Sequence, residues 1–206
     1  MEQKEYFKRF LSEHFPTDAF LEKFERYHSW LIEENAKINL ISRQADPNDI
    51  WTIHFLDSLL SIKCVDFSER RVLDFGTGGG LPGLPLAICF DDMEVTLLDS
   101  RRKKIEAVKR ASVRLGLKNC RFEDQRIEKL GSQYREKFDM IVCRSVKIEP
   151  QYKFPLLSLL KPQGKIVLYK SKVLDDIHQF KEHDVQITDV GNSAIGERKI
   201  IVVTKY

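Results

Sequence analysis

The stretch Val72-Leu73-Asp74-Phe75-Gly76-Thr77-Gly78-Gly79-Gly80-Leu81-Pro82-Gly83 constrains the fold of this chain more than any other. An apolar run ends in an acid, passes through a cluster of glycines and then meets a proline. The run predicts a buried strand. The glycines predict a sharp turn whose backbone can approach a ligand without Cβ interference, and the helix that follows presents free N–H groups to the same place. Nucleotide-like cofactors bind at such turns. Further on, the apolar run Val95-Thr96-Leu97-Leu98 ends in Asp99. An acid at the end of a second strand is placed to accept hydrogen bonds from two ribose hydroxyls.

These residues leave two cofactors open. Gly78-Gly79-Gly80-Leu81-Pro82-Gly83 satisfies the G-x-G-x-x-G pattern, with Asp99 at a spacing that suits a nicotinamide ribose. Asp74-x-Gly76-x-Gly78-x-Gly80, in contrast, resembles motif I of class I S-adenosylmethionine (SAM) methyltransferases. In that family the turn wraps a methionine moiety and adenosine rather than a pyrophosphate. Pro82 and Pro85 suit a helix start, where a missing N–H costs little.

From Arg71 onward, short apolar strands alternate with amphipathic helices, which predicts a mainly parallel, doubly wound sheet. Strands are expected near 71–75, 94–98, 120–123, 138–143, 164–169, 184–190 and 198–204. Exposed loops are expected at Ser132 to Lys137 and Gly191 to Gly196. Before that region, Phe20, Phe24, Tyr27, Leu31 and Ile38 recur at helical spacing after a Thr17 or Asp18 cap. A further helix is expected to start at Asp46-Pro47 and run through Trp51 to Leu59. The chain therefore divides into a helical extension, 1–63, and a cofactor-binding domain, 64–206.

The chain has 206 residues, of which 42% are hydrophobic, enough for one buried core. A net charge of +3 permits an RNA partner without demanding one. No apolar run is long enough for a membrane helix and the start lacks a signal peptide's apolar core, so a cytoplasmic protein with no membrane partner is expected. Cys64, Cys89, Cys120 and Cys143 are widely spaced and read as buried free thiols. His14, His28, His178 and His183 show no metal-ligand spacing, and no metal is expected.

A narrower resemblance runs through Asn39-Leu40, His54-Phe55-Leu56-Asp57-Ser58-Leu59, the glycine turn with Leu81-Pro82-Gly83-Leu84-Pro85-Leu86, and Thr96-Leu97-Leu98-Asp99-Ser100. It continues in Lys103-Lys104, Arg126-Ile127-Glu128, Phe138-Asp139, Arg144, Lys170 and Gly196-Glu197-Arg198. The chain resembles the GidB (RsmG) family over nearly its whole length. That resemblance implies a class I SAM-dependent methyltransferase fold, Rossmann-like, with a seven-stranded mainly parallel sheet and an N-terminal helical extension. It also implies transfer of the SAM methyl to N7 of a guanine in a decoding-region loop of 16S rRNA. The partner would be 16S rRNA or a small-subunit precursor, and a monomer is expected. The competing readings are a non-catalytic RNA-binding assembly factor on the same fold and a nicotinamide-dependent oxidoreductase.

The candidate cofactor residues are Asp74, Gly76, Gly78, Gly80, Leu81, Asp99, Ser100, Ile127, Glu128 and Arg144. For Asp74, binding the loop N–H groups competes with direct cofactor contact; for Asp99, capping the helix that starts near Arg101 competes with ribose binding. Ile127-Glu128 follows the third strand, where SAM enzymes recognise adenine. Arg144 ends the apolar strand Met140-Ile141-Val142-Cys143, where a cation would be odd as core. After Arg144 this chain reads Ser145-Val146-Lys147-Ile148-Glu149 where the family carries Ala-Phe-Ala-Ser-Leu or similar, a departure on the substrate side. On the basic helix that follows Asp99, Ile105, Val108, Ser112 and Leu115 form the inward stripe, leaving Lys103, Arg110 and Arg114 outward with Lys109 on the flank; RNA contact is expected from Lys109, Arg110 and Arg114, and from Lys170 at a strand end. No catalytic residue is assigned. His54 and Asp57 match the family's helical motif, but a histidine on an amphipathic helix more commonly packs or caps than reacts. Guanine N7 already offers an in-plane lone pair, so no general base is required.

Overall fold

The structure is a computed structural model that describes residues 2–15, 18–42 and 46–206, with nothing described of the Asp18 side chain. The chain opens with helices α1 (Glu2–His14) and α2 (Asp18–Asn35). The Thr17 cap expected for α2 lies outside the described residues. A third helical run follows: a 3-10 turn (Pro47–Asp49), a π-helix (Ile50–Leu56), the short α3 (Asp57–Leu59) and a second 3-10 turn (Leu60–Lys63). It begins as the sequence predicts, with Asp46 accepting from the Asn48 N–H at 2.8 Å and Pro47 in the first turn.

Seven strands follow: β1 (Arg71–Phe75), β2 (Glu94–Leu98), β3 (Cys120–Glu123), β4 (Phe138–Arg144), β5 (Leu160–Lys170), β6 (Asp184–Asp189) and β7 (Lys199–Thr204). They form one sheet in the order β3-β2-β1-β4-β5-β7-β6. The first five are parallel, and β7 runs antiparallel to both β5 and β6. Helices α4 (Gly83–Cys89), α5 (Arg102–Leu115) and α6 (Pro150–Leu159) supply crossovers. The expected strands are all present, with one boundary corrected. β5 starts at Leu160, opposite Phe138, and its register shifts before Lys165 pairs with Met140, with Gln163 at φ 61° between them. Pro162, which has no N–H for a ladder, falls in that irregular stretch.

Strand order reverses between β1 and β4, so the loops leaving their C-terminal ends diverge and open a crevice. Alternation along the strands serves both faces of the sheet: Val72 joins one apolar cluster, Leu73 and Phe75 the other. The first cluster is shared by α1, α2, the third helical run, α4 and α5, so the N-terminal helices pack into the same core as the sheet. Phe24 illustrates the packing, fully buried with its ring edge-on to Phe7 at 4.8 Å and tilted against Phe55 at 5.2 Å. Tyr169 ties β5 to the third run, donating to the Ser58 carbonyl at 3.0 Å and accepting from the Ser61 hydroxyl at 2.6 Å.

Among the described residues no helix is long and apolar enough to cross a membrane, and no group of histidine, cysteine and acidic side chains could hold a metal ion. Cys89 and Cys143 are buried free thiols as expected; Cys64 and Cys120 are only half-buried.

A core shared in this way predicts that Phe24→Ala costs about 3–5 kcal/mol and lowers one cooperative transition. Urea unfolding followed both by tryptophan fluorescence, which reports on Trp30 and Trp51, and by far-ultraviolet circular dichroism should give coincident curves. Separated curves would assign the N-terminal helices a core of their own.

Candidate functional site

Gly76 and Gly78 leave β1 with φ of 76° and 57°, and Gly80 follows at 94°, all in the left-handed region that glycine adopts without strain. Space is decisive at two of them. A Cβ on Gly76 would lie 2.5 Å from Val146 Cγ2, and one on Gly80 would lie 2.6 Å from Leu84 Cδ1 and 2.9 Å from the Tyr27 hydroxyl. The turn is fastened from both sides. Tyr27 on α2 donates its hydroxyl to the Gly79 carbonyl at 2.7 Å, and Asp99 accepts from the Gly78 N–H at 3.1 Å.

The turn forms one wall of a cavity of about 700 Å³. Of the ten residues expected at the cofactor site, Gly76, Gly78, Leu81, Asp99, Ser100, Ile127, Glu128 and Arg144 border it. Ile127 is buried, whereas Ser100 and Glu128 are exposed at the rim. Asp99 is half-buried and also accepts from the Arg101 N–H at 2.9 Å, so it orders the start of α5 as well as facing the cavity.

Asp74 and Gly80 do not border the cavity; they build the turn from behind. Asp74 is fully buried, and its Oδ2 accepts from the Thr77 hydroxyl at 2.6 Å and the Gly83 N–H at 2.8 Å. This is the loop-binding alternative of the sequence reading. Its other oxygen, Oδ1, has no hydrogen-bond partner among the described residues. Burial raises the Asp74 pKa to about 6, against the lowering effect of those two hydrogen bonds and of Arg144.

Arg144 is placed by contacts that span the chain. Its Nη1 donates to Asp57 Oδ2 at 3.0 Å and to the carbonyls of Ile53 and His54 at 3.2 and 3.3 Å, and its Nη2 reaches His54 Nδ1 at 3.3 Å. The other oxygen of Asp57 accepts from Arg198 Nε at 3.0 Å. Asp57 is only 6% exposed, so the two guanidinium groups are what make its charge tolerable there. Sequence reasoning set His54 and Asp57 aside, yet His54 borders the cavity and Asp57 fixes the arginine that does. Lys104 and Asn39, also at the cavity, belong to matched motifs and were not singled out.

The basic helix differs from expectation. Its inward stripe is buried as predicted, but Arg110 and Arg114 are not free. Arg110 pairs with Glu34 and Arg114 with Glu33 at 2.9 Å, both on α2. Glu34 is almost wholly buried; burial opposes its ionisation, and hydrogen bonds from Arg110 and Lys37 outweigh this to hold its pKa below the usual value. Lys109 stays exposed. Lys170 borders a neighbouring cavity and is ion-paired to Asp176.

Residues 20–199 match the family described as GidB, rRNA small subunit methyltransferase G. The chain belongs to this family. Among its relatives is the "Ribosomal RNA small subunit methyltransferase G" of Syntrophus aciditrophicus, 34% identical over 87% of this chain and 77% of the relative. Another, under the same name, is that of Syntrophomonas wolfei, 40% identical over 71% of this chain and 68% of the relative. Solved structures confirm the fold. An O-methyltransferase from Bacillus cereus in complex with SAH superposes with a TM-score of 0.64 at 19% identity, covering 96% of both chains. A SAM-dependent methyltransferase from Aquifex aeolicus also reaches 0.64, at 15% identity over 87% of this chain and 98% of that one. In this GidB-family chain, then, the motif I resemblance and not the overlapping nicotinamide pattern describes the turn.

The buried Asp74 has a measurable signature. A carboxyl whose pKa rises from about 3.8 unfolded to about 6 folded binds its proton more tightly in the native state, so its contribution to stability falls as pH rises through that window. Asp74→Asn, which keeps an acceptor for Gly83, should abolish roughly 3 kcal/mol of that decline, read as the difference between the two proteins' urea stabilities from pH 4 to 7. Parallel stability profiles would mean that Asp74 titrates normally.

Proposed function

We propose that this chain transfers the methyl group of SAM to N7 of a guanine in small-subunit ribosomal RNA. The observation that carries the reading is the convergence, on one cavity, of the motif I turn, Asp99 and Ile127 in a chain of the GidB family.

The residues fit the cofactor. A cavity of about 700 Å³ is of the size that holds small ligands. Its wall at Gly76 to Gly79 is backbone, its half-buried carboxylate suits a ribose diol, and buried Ile127 offers an apolar surface to adenine. In this proposal Gly76, Gly78, Leu81, Asp99, Ser100, Ile127 and the Glu128 backbone contact SAM. Asp74 and Gly80 hold the turn in shape, and Arg144 closes the side toward the substrate. When bound, the cofactor supplies a methyl on a sulfonium sulfur, whose carbon–sulfur bond gives way to a bond with the N7 lone pair.

The protein's task is alignment, an effect of at most roughly 7–11 kcal/mol. No proton leaves N7, so a general base is unnecessary. Lys109 is the clearest phosphate contact of the predicted set; Arg110, Arg114 and Lys170 reach RNA only together with their acidic partners. We assign residues 1–63 to a helical extension that shapes the site and 64–206 to the cofactor domain, acting as a cytoplasmic monomer.

Incubation with methyl-labelled SAM and unmodified small subunits or rRNA, followed by nucleoside mass spectrometry, should place label in 7-methylguanosine. SAM binding without label in either substrate would reject the methyl-transfer reading and favour a non-catalytic assembly role. Asp99→Ala should weaken SAM binding in calorimetry by about 1.5–3 kcal/mol, the range for hydrogen bonds to a charged group, and leave the melting temperature within a few degrees of the parent. Unaltered affinity would remove the ribose role from Asp99.

A further inference from the structure

Beside the cofactor cavity lies a second one of about 450 Å³, and His54, Arg144, Ser145 and Val146 border both. We propose that the second cavity receives the acceptor purine and that His54, donating through Nε2–H to the purine O6, selects guanine over adenine. The inference rests on the guanine-N7 reading above and names the residue that would enforce it.

The proton on His54 is assigned by its neighbour. A guanidinium has donors and no acceptor, so the 3.3 Å contact from Arg144 Nη2 requires a lone pair on His54 Nδ1 and leaves the proton on Nε2. Nε2 makes no hydrogen bond among the described residues. The ring also stays uncharged: burial, reinforced by the positive charge of Arg144, lowers the His54 pKa to about 3. His54 is therefore a neutral ring at neutral pH, with its Nδ1 lone pair taken by Arg144 and its Nε2–H left to donate.

Its placement follows from the backbone. His54 lies in the π-helix Ile50–Leu56, a rare local geometry that recurs at functional sites. The backbone carbonyls of Ile53 and His54 are themselves held by Arg144, so the ring cannot drift from the wall between the cavities without breaking those bonds. Ile53 and Val173, exposed by 37% and 66%, give the second cavity apolar surface against which a base can lie.

The chemistry of the acceptor then decides specificity. The edge of guanine that carries N7 presents a second acceptor, O6; adenine presents N7 beside an N6 amino donor. A residue that can only donate suits the first and opposes the second. Neutrality matters as well, because methylation leaves the base cationic and a protonated histidine beside it would resist that charge.

The alternative is that His54 only supports Arg144. Splint-ligated small-subunit rRNA, assembled into subunits and carrying guanine or 2-aminopurine at the methylated position, separates the two. 2-Aminopurine keeps N7 and lacks O6. With the native protein, kcat/KM should drop roughly ten- to a hundredfold from guanine to 2-aminopurine. His54→Phe should lose a similar factor on guanine and nothing further on 2-aminopurine. His54→Gln, whose amide N–H can replace Nε2–H, should restore the preference, and calorimetric SAM affinity should be the same in all three proteins. Equal losses for His54→Phe on both bases, or a loss of SAM affinity, would overturn the proposal in favour of the supporting role. Absence of 7-methylguanosine from the native protein on the guanine substrate would instead show that the guanine-N7 reading itself has failed, before any variant is compared.

Discussion

Asp57 sits where the helical extension meets the sheet, with one carboxylate oxygen on Arg144 at the end of β4 and the other on Arg198 just before β7, each at 3.0 Å. Because the carboxylate is buried, removing Asp57 would leave both arginines without their shared partner, and breaking a buried pair in this way costs about 3–5 kcal/mol. The contact is thus one of position more than of net stability. It fixes Arg144, which in turn fixes His54, and together these residues are the partition between the two cavities. The N-terminal helices are in this sense part of the site and not a covering added to it.

The glycine turn depends on the same helices. Tyr27 grips the Gly79 carbonyl from α2, while Asp74 grips Thr77 and Gly83 from within the sheet. Gly83 is as constrained as the glycines that bend, since a Cβ there would lie 2.6 Å from Asp74 Oδ2 and 2.4 Å from Leu97 Cδ2. The acid of the motif is thereby spent on shaping the turn, and the acid of the next strand, Asp99, is the one left facing the cavity.

What could be read from the sequence divides along the distance over which residues act. Strand positions, the turn and Asp99 depend on neighbours a few residues apart, and local patterning placed them well. The roles of Asp57 and His54 depend on Arg144 and Arg198, 87 to 141 residues away, and nothing in a helical motif names such partners. The same limit applies to α5, whose basic face looked free because its acidic partners lie on α2, 76 and 81 residues earlier. Resemblance to the family flagged the helical motif as a block of residues; physical reasoning on a lone histidine then discounted it. The start of β5 was missed for a different reason: proline and a left-handed glutamine interrupt the alternation that marks a strand.

Methyl transfer to guanine N7 moves positive charge from the sulfur to the base without moving a proton. A site for that reaction has no use for a base and every reason to avoid surplus cations. At the partition itself the charges are held in check, while Lys147, Lys170 and Arg198 border the second cavity further out. Arg144 is countered by Asp57, with buried Asp74 acting on it from behind the turn, and His54 is kept neutral by burial and by Arg144 itself. The arginine therefore acts chiefly through geometry and through the tautomer it imposes, a role that lysine could not fill because it lacks the planar fork that reaches Asp57, two carbonyls and an imidazole together.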